Sequence, residues 1–250
     1  MFFVILILFV CYQIFENRYW NIKKNLILNI NQYFPNRFKL GTFNLHALIS
    51  TPKRNRNVNL LAKLISVLDL DLIVFQECWT GSAAFELSKY FPKYSVFSPW
   101  QISQMSRSGL LILSKYQIYF DQFISFNANK KFEFLVKKGI LKCYFQTHSG
   151  QMVNIFVTHF PDLKDNSHFL KILITAINQK NEKQIIVGDF NMDVNKICSV
   201  IQKKCDALFE KTFNQDSLDA IFVKNLRIIK TNFIDTNGLS DHRGIVSEIE

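Results

Sequence analysis

The stretch KQIIVGDFN, residues 183–191, decides how this chain is read. Ile185, Ile186 and Val187 form a short, wholly apolar run of the buried-strand kind. The strand then closes on Gly188, Asp189, Phe190 and Asn191. Gly-Asp and Asn are turn formers, so taken alone this ending fits an ordinary turn. The ending recurs, however. FKLGTFNLHAL (38–48) is a strand with Asn44 at its polar tip, and DLIVFQEC (71–78) closes on Gln76 and Glu77. MVNIFVTHF (152–160) delivers His159, and Ser240-Asp241-His242 stand just before GIVSEIE (244–250).

Outward from these ends, the rest of the chain fills in. SGLLILSK (108–115), GILKCYFQT (139–147) and SLDAIFVKN (217–225) also read as strands. RNRNVNLLAKLISVLDL (54–70) carries Val58, Leu61, Leu64, Ile65 and Leu68 at helical spacing, and HFLKILITAINQ (168–179) shows the same period. Strands outnumber helices. The layering that buries them is two β-rich sheets packed face to face with helices outside. Residues 16–37 read as a linker or short helix, which places the domain at 38–250.

The polar ends carry a common chemistry. Carboxylate and amide oxygens are the donors that Mg²⁺ or Mn²⁺ prefers. Histidines beside them suit proton transfer and the binding of phosphoryl oxygens. Cleavage of a phosphodiester needs a charge-neutralising metal, an activated water and stabilised in-line geometry.

The order TFN, QE, SGLLILSK, TH, GDFN, LDAIFV and SDH resembles the endonuclease/exonuclease/phosphatase superfamily, the DNase I-like fold, from about Gly41 to the C-terminus. The resemblance implies an α/β protein, a four-layer sandwich of two β-sheets flanked by helices, with the site at one edge. It implies that Asn44, Glu77 and Asp241 form the metal-site group, with Glu77 the principal ligand of Mg²⁺ or Mn²⁺. Asp189 would orient or deprotonate the attacking water, and Asn191 would hold a phosphate oxygen. His242 would stabilise the phosphoryl group, with its tautomer fixed by Asp219. His159 would be a second phosphate-facing histidine and general acid.

Within the superfamily, His159 disfavours the abasic-site endonucleases, which generally carry an aromatic residue there. QECW (76–79), the basic stretch KRNRNVNLLAKLI (53–65) and Lys138-Gly139 resemble elements of neutral sphingomyelinases. The resemblance makes Lys138 a substrate-binding residue; a lysine of a Lys-Lys pair at a strand start also fits a solvated face. Two features depart from that branch. The Asn191–Asp219 span is short, and an obvious membrane-entering aromatic hairpin is missing, SPWQISQMSR (98–107) being the one stretch that could contribute. His46, His148 and His168 show no partner pattern and read as surface or packing residues, while Trp79 and Trp100 read as core or rim.

The bulk properties bound the rest. A hydrophobic fraction of 48% excludes a disordered chain, and 25 Phe against 8 Gly and 5 Pro reads as compositional drift, so no single Phe is a functional signal. Thirty Lys and Arg against twenty Asp and Glu give a formal charge of +10, which favours an anionic substrate without naming it. The five cysteines, an odd number with no Cys-x-x-Cys, read as scattered free thiols. Residues 1–15 (MFFVILILFVCYQIF) are uncharged and apolar, shorter than a typical span; they read as a membrane anchor or uncleaved signal, or else as a cleaved signal. The expected protein is therefore a monomeric metal-dependent phosphodiesterase, membrane-associated or secreted. A phospholipid headgroup is favoured as substrate, with a nuclease the alternative and a non-catalytic binding member of the fold the third reading.

Overall fold

The computed structural model describes residues 31–47, 54–98, 108–126, 137–163, 165–177, 182–205, 210–213 and 218–250. The apolar segment 1–15, most of the stretch 98–107 and Trp100 lie outside them. No helix among the described residues is long and apolar enough to cross a membrane.

Sheet one contains β1 (Phe38–Asn44), β2 (Leu72–Gln76), β3 (Ser95–Phe97), β4 (Leu111–Ser114), β11 (Ile228–Ile234) and β12 (Gly244–Ile249), in the order β11-β12-β1-β2-β4-β3. Sheet two contains β5 (Tyr119–Ser125), β6 (Gly139–Gln146), β7 (Met152–His159), β8 (Lys183–Asp189), β9 (Glu210–Phe213) and β10 (Asp219–Lys224), in the order β5-β6-β7-β8-β10-β9. Each sheet has one parallel pair, β1 with β2 and β7 with β8, flanked by antiparallel neighbours. A parallel pair needs a crossover. Helices α1 (Arg54–Ser66) and α3 (Ser167–Ile177) supply the two crossovers. Helices α2 (Gly81–Tyr90) and α4 (Val194–Cys205) complete the outer layers.

The four-layer expectation is met because every interior strand has two apolar faces. Leu40, Leu72, Val74, Val153, Ile155, Val157, Ile185, Val187 and Ile221 point between the sheets into one core. The alternate residues Phe43, Ile73 and Phe75 pack outward against Val58, Leu61 and Ile65 of α1 and Leu87 of α2. Phe156, Ile186 and Phe222 pack outward against Leu173 and Ile177 of α3 and Ile197 and Ile201 of α4. Helix α2 is started by Thr80, whose hydroxyl accepts from Ala83 N–H at 3.2 Å, a cap of the ordinary kind.

The linker expectation is revised where the chain is described. Phe34 is fully buried in the inter-sheet core, stacked on Phe145 at 3.9 Å between ring centroids. Its backbone pairs with Gln146 and His148. A single aromatic anchor among polar neighbours carries no periodicity, which is why residues 31–37 read as linker. Cys78, Cys143 and Cys198 are buried, and burial pushes the Cys143 thiol up.

Candidate functional site

The inward stripes of the central strands change from apolar to polar at one pole of the sandwich. On β1 the stripe runs Phe38, Leu40, Thr42, Asn44; on β2 it runs Leu72, Val74, Gln76. On β7 it ends at His159, on β8 at Asp189, and on β10 it begins at Asp219. The side-chain period of two therefore aims Asn44, His159, Asp189 and Asp219 into the gap between the sheets, on top of the core. Register brings them level: Asp189 is the Cα partner of Asp219 in the antiparallel pair and of His159 in the parallel pair. The next residue of each strand faces the other way and is buried. Phe160 and Phe190 pack edge to face at 5.5 Å, which pins the strand ends that carry His159 and Asp189.

Asp189 is the hub. Its Oδ2 accepts from Asn44 Nδ2 at 3.0 Å and lies 3.6 Å from His159 Nε2 and 3.9 Å from His242 Nε2. Its Oδ1 accepts from the backbone N–H of Asn191 at 2.9 Å. His242 stands on the loop before β12 and reaches across to sheet two, with Nδ1 2.5 Å from Asp219 Oδ2. Ser240 holds that loop, donating to Asn44 O at 2.7 Å and accepting from His242 N–H at 3.1 Å. Burial works against a charged His242 ring. The hydrogen bond to Asp219 and the carboxylates of Asp219, Asp189 and Asp241 outweigh it, so His242 is pushed up to about 9 and is cationic at neutral pH. His159 is held well below its ordinary value, first by complete burial and then by the Lys138 and His242 charges.

Three residues at this pole sit at positive φ: His46 at 45°, Glu77 at 58° and Asn191 at 46°. Asn and His tolerate that region; Glu adopts it at a cost, and such residues cluster at functional sites. The bend at Glu77 turns the chain out of β2 so that Oε1 lies 3.4 Å from Asn44 Nδ2 and 3.9 Å from His159 Nε2. Its Oε2 is buried with no hydrogen-bond partner. A buried carboxylate oxygen left unpaired is expensive, and a divalent cation would satisfy it. That orphaned hard oxygen fits Mg²⁺ or Mn²⁺ and makes Glu77 the residue best placed to hold it. Ligand atoms of Asp189, Asp219 and His242 also lie within 4.8 Å of one another. There, however, Asp219 Oδ2 is engaged with His242 Nδ1.

The nine residues singled out from the sequence are thus found around one pole, with two shifts of emphasis. Asn44 presents its amide nitrogen, not its oxygen, to Glu77 and Asp189, while its Oδ1 accepts from His46 N–H at 3.0 Å. It therefore holds the two carboxylates in place. Asp241 lies at the rim, its side chain 57% exposed, with Oδ1 2.7 Å from His46 Nδ1. Asn191 donates its amide to Phe160 O at 2.9 Å. Lys138 touches His159.

Two participants were not foreseen. His46 reads as a surface residue in the sequence yet pairs with Asp241; its place two residues past Asn44 was the available signal. Asn166 spends its amide on Pro161 O at 2.9 Å and Asn191 O at 3.0 Å, joining the two loops that leave β7 and β8. Nothing in the sequence marks it, because both partners are backbone carbonyls of other segments. His148 and His168 are exposed.

Comparison with known proteins agrees with this architecture. No curated protein matches the sequence. Among solved structures, that of sphingomyelinase C from Streptomyces griseocarneus superposes with a TM-score of 0.63 at 16% identity, over 85% of this chain and 99% of that one. D. rerio TDP2 in complex with a single-strand DNA product gives 0.64 at 14% identity, over 86% and 99%. Staphylococcus aureus beta toxin with bound magnesium ions gives 0.62 at 17%, over 84% and 98%. At these identities the likeness is one of fold. The sequence profile of the Endonuclease/Exonuclease/phosphatase family matches residues 41–242. With most of the chain covered, from the residue before TFN to the histidine of SDH, this protein belongs to the Endonuclease/Exonuclease/phosphatase family.

Proposed function

We propose that the protein is a Mg²⁺- or Mn²⁺-dependent phosphodiesterase whose substrate is a phospholipid headgroup. The observation that carries the chemistry is the convergence of Asn44, His159 and His242 on one oxygen of Asp189. A buried carboxylate oriented by the Asn44 amide and set beside two imidazoles is placed to orient and deprotonate a water. Glu77 is where the metal would be held, and there it would supply charge neutralisation for the phosphoryl oxygens. Cationic His242, its orientation fixed by Asp219, presents Nε2–H to the phosphoryl group, where negative charge grows in the transition state. Asn191 retains one amide hydrogen beyond its bond to Phe160 O for a phosphate oxygen.

The lipid assignment is supported by the motif likeness around Glu77 and Lys138 and by the fold shared with sphingomyelinases. Residues 1–15 would hold the enzyme at a membrane surface. The nucleic-acid reading is favoured by the +10 charge, by the likeness to a DNA-processing structure, and by one feature of the fold. Asn31 and Phe34 bridge to Tyr116 and Thr147, beyond the ends of β4 and β6, at the pole opposite the site. The described chain thus enters the domain on the side away from the site.

The deciding measurement is hydrolysis of sphingomyelin vesicles and of plasmid DNA by the purified full chain, with Mg²⁺ and with chelator. Metal-dependent release of phosphorylated headgroup supports the lipid reading. Cleavage of DNA alone replaces it with the nuclease reading. Activity on neither, or activity that survives the chelator, overturns the metal-dependent phosphodiesterase.

A further inference from the structure

The two histidines of the site are oriented by groups of opposite charge. His242 has a carboxylate at Nδ1, which demands a ring hydrogen there. His159 has an ammonium instead: Lys138 Nζ lies 2.7 Å from His159 Nε2 and donates to Phe160 O at 3.1 Å. An ammonium has donors and no lone pair, so the ring nitrogen facing it must accept. Lys138 is well placed to impose this. It immediately precedes β6, its backbone carbonyl accepts from Phe126 N–H at 3.0 Å, and the following Gly139 packs against Ile124 O with no room for a Cβ.

The surroundings would otherwise select the other tautomer. His159 Nε2 has two carboxylate oxygens nearby, Asp189 Oδ2 at 3.6 Å and Glu77 Oε1 at 3.9 Å, and a hydrogen on Nε2 would face both. His159 Nδ1, by contrast, is buried with no hydrogen-bond partner. A free imidazole at this position would carry its hydrogen on Nε2, toward the acceptors. Only the lysine turns the preference round.

We infer that Lys138 is a positioning residue that holds His159 in the Nδ1–H tautomer, with Nε2 occupied as an acceptor. In that state His159 does not hand a proton through Nε2 to a leaving oxygen, and the cation at this wall of the site is Lys138. The substrate-binding and general-acid roles expected of Lys138 and His159 are thereby replaced by one couple. It is the counterpart of Asp219 and His242, with donor and acceptor exchanged. The lowered basicity of the buried His159 ring accords with this arrangement. The tautomer assignment is independent of the substrate, whereas its catalytic consequence rests on the phosphodiesterase reading.

Long-range ¹H–¹⁵N correlation on ¹⁵N-histidine-labelled protein at neutral pH tests it, with His159 assigned by the signal lost in His159→Gln. The wild type is expected to show a protonated Nδ1 and a bare Nε2 at His159. Lys138→Met should transfer the hydrogen to Nε2, and Lys138→Arg, still donor-only, should preserve Nδ1–H. In turnover, Lys138→Met should lower kcat about 10- to 100-fold with KM nearly unchanged, the scale seen when an orienting partner is lost. A wild-type His159 with its hydrogen on Nε2 overturns the inference without any variant. So does a Lys138→Met protein that keeps the wild-type tautomer. If the wild type hydrolyses no phosphodiester, the functional reading fails while the ring spectrum still decides the tautomer.

Discussion

The two sheets share a plan and contribute differently to the site. Each has a parallel pair joined by a crossover helix, and the two pairs face each other, β1 and β2 over β8, β2 also over β7. Sheet two supplies His159, Asp189 and Asp219, each about 1% exposed and level with one another through strand register. Sheet one supplies buried Asn44, but its remaining groups sit in turns beyond the strand ends: His46 and Glu77 at positive φ, and Asp241 and His242 in the loop before β12. One half is a ladder whose geometry is held by backbone hydrogen bonds. The other is a set of bends, tied down by Ser240 and Asn44, that reaches over it. The difference separates what the halves cost when changed. A ladder residue supports fold and chemistry together, whereas a bend residue serves the chemistry alone.

The largest expected effect breaks that contrast if it fails. Glu77→Ala and Asp189→Ala should each lower kcat/KM by at least ~10³-fold, since each removes a group central to water activation or charge neutralisation. Only Asp189→Ala should also destabilise, by about 2–4 kcal/mol, because it removes the 3.0 Å buried acceptor of Asn44 Nδ2 and leaves the Asn191 N–H unpaired. Glu77→Ala removes the unpaired buried Oε2 along with one long 3.4 Å contact from Oε1 to Asn44, and should leave Tm nearly unchanged. Equal losses of stability in urea titrations of the two variants would dissolve the distinction between ladder and bend.

Asp219→Asn tests the bond that joins the halves. Activity should fall about 100-fold, the scale of losing an orienting partner, and the His242 pKa, read by NMR, should drop from about 9 toward the ordinary histidine range. The sign follows from linkage. A folded-state value raised above the unfolded one stabilises fully below the unfolded value near 6.5, and that contribution disappears as pH rises through about 9. The His242 contribution to the stability difference between wild type and Asp219→Asn should therefore shrink as pH rises through about 9. A His242 that titrates identically in both proteins would show that Asp219 does not set its charge.

The smallest effects sharpen the contrast in the backbone. Gly188, φ 145°, lies in β8, and a Cβ there would meet Thr158 O of β7 at 1.9 Å. Gly188→Ala should cost about 2–4 kcal/mol by denaturant titration, combining strain with a widened ladder. Gly238, φ 73°, lies in the loop before His242 with nothing within 4 Å of an added Cβ. Gly238→Ala should cost only about 1 kcal/mol, the conformational penalty alone.

The strands that periodicity reveals are the eight interior ones: β1, β2, β4, β6, β7, β8, β10 and β12. Those it passes over, β3, β5, β9 and β11, are the four edges of the two sheets. The reason is burial. An interior strand covered on both faces reads as an apolar run, whereas the edge residues Tyr119 to Gln122 of β5 are exposed and carry no such demand. Helices α2 and α4 are not legible despite apolar stripes such as Val194, Ile197, Cys198 and Ile201, because they follow directly on site residues whose types also suit a turn. The identities at the site were legible for a related reason. A hard polar group at the end of a buried apolar stripe has no structural use there, so Asn44, His159, Asp189 and Asp219 stand out from their own strands.

By itself, then, the sequence determined the layers and the cast of the site. Two-faced apolar strands can be buried only in a sandwich with helices outside, and a period of two dictates which strand-end residues face the gap. The tertiary structure alone decided the pairings. His46 meets Asp241, Asn166 ties the loop after β7 to the loop after β8, and Lys138 meets the far nitrogen of His159. These contacts join segments distant along the chain, and they depend on which atom of a side chain faces its neighbour. No local pattern encodes that choice, because it is set by register and by turn dihedrals that exist only once the two sheets have closed on each other.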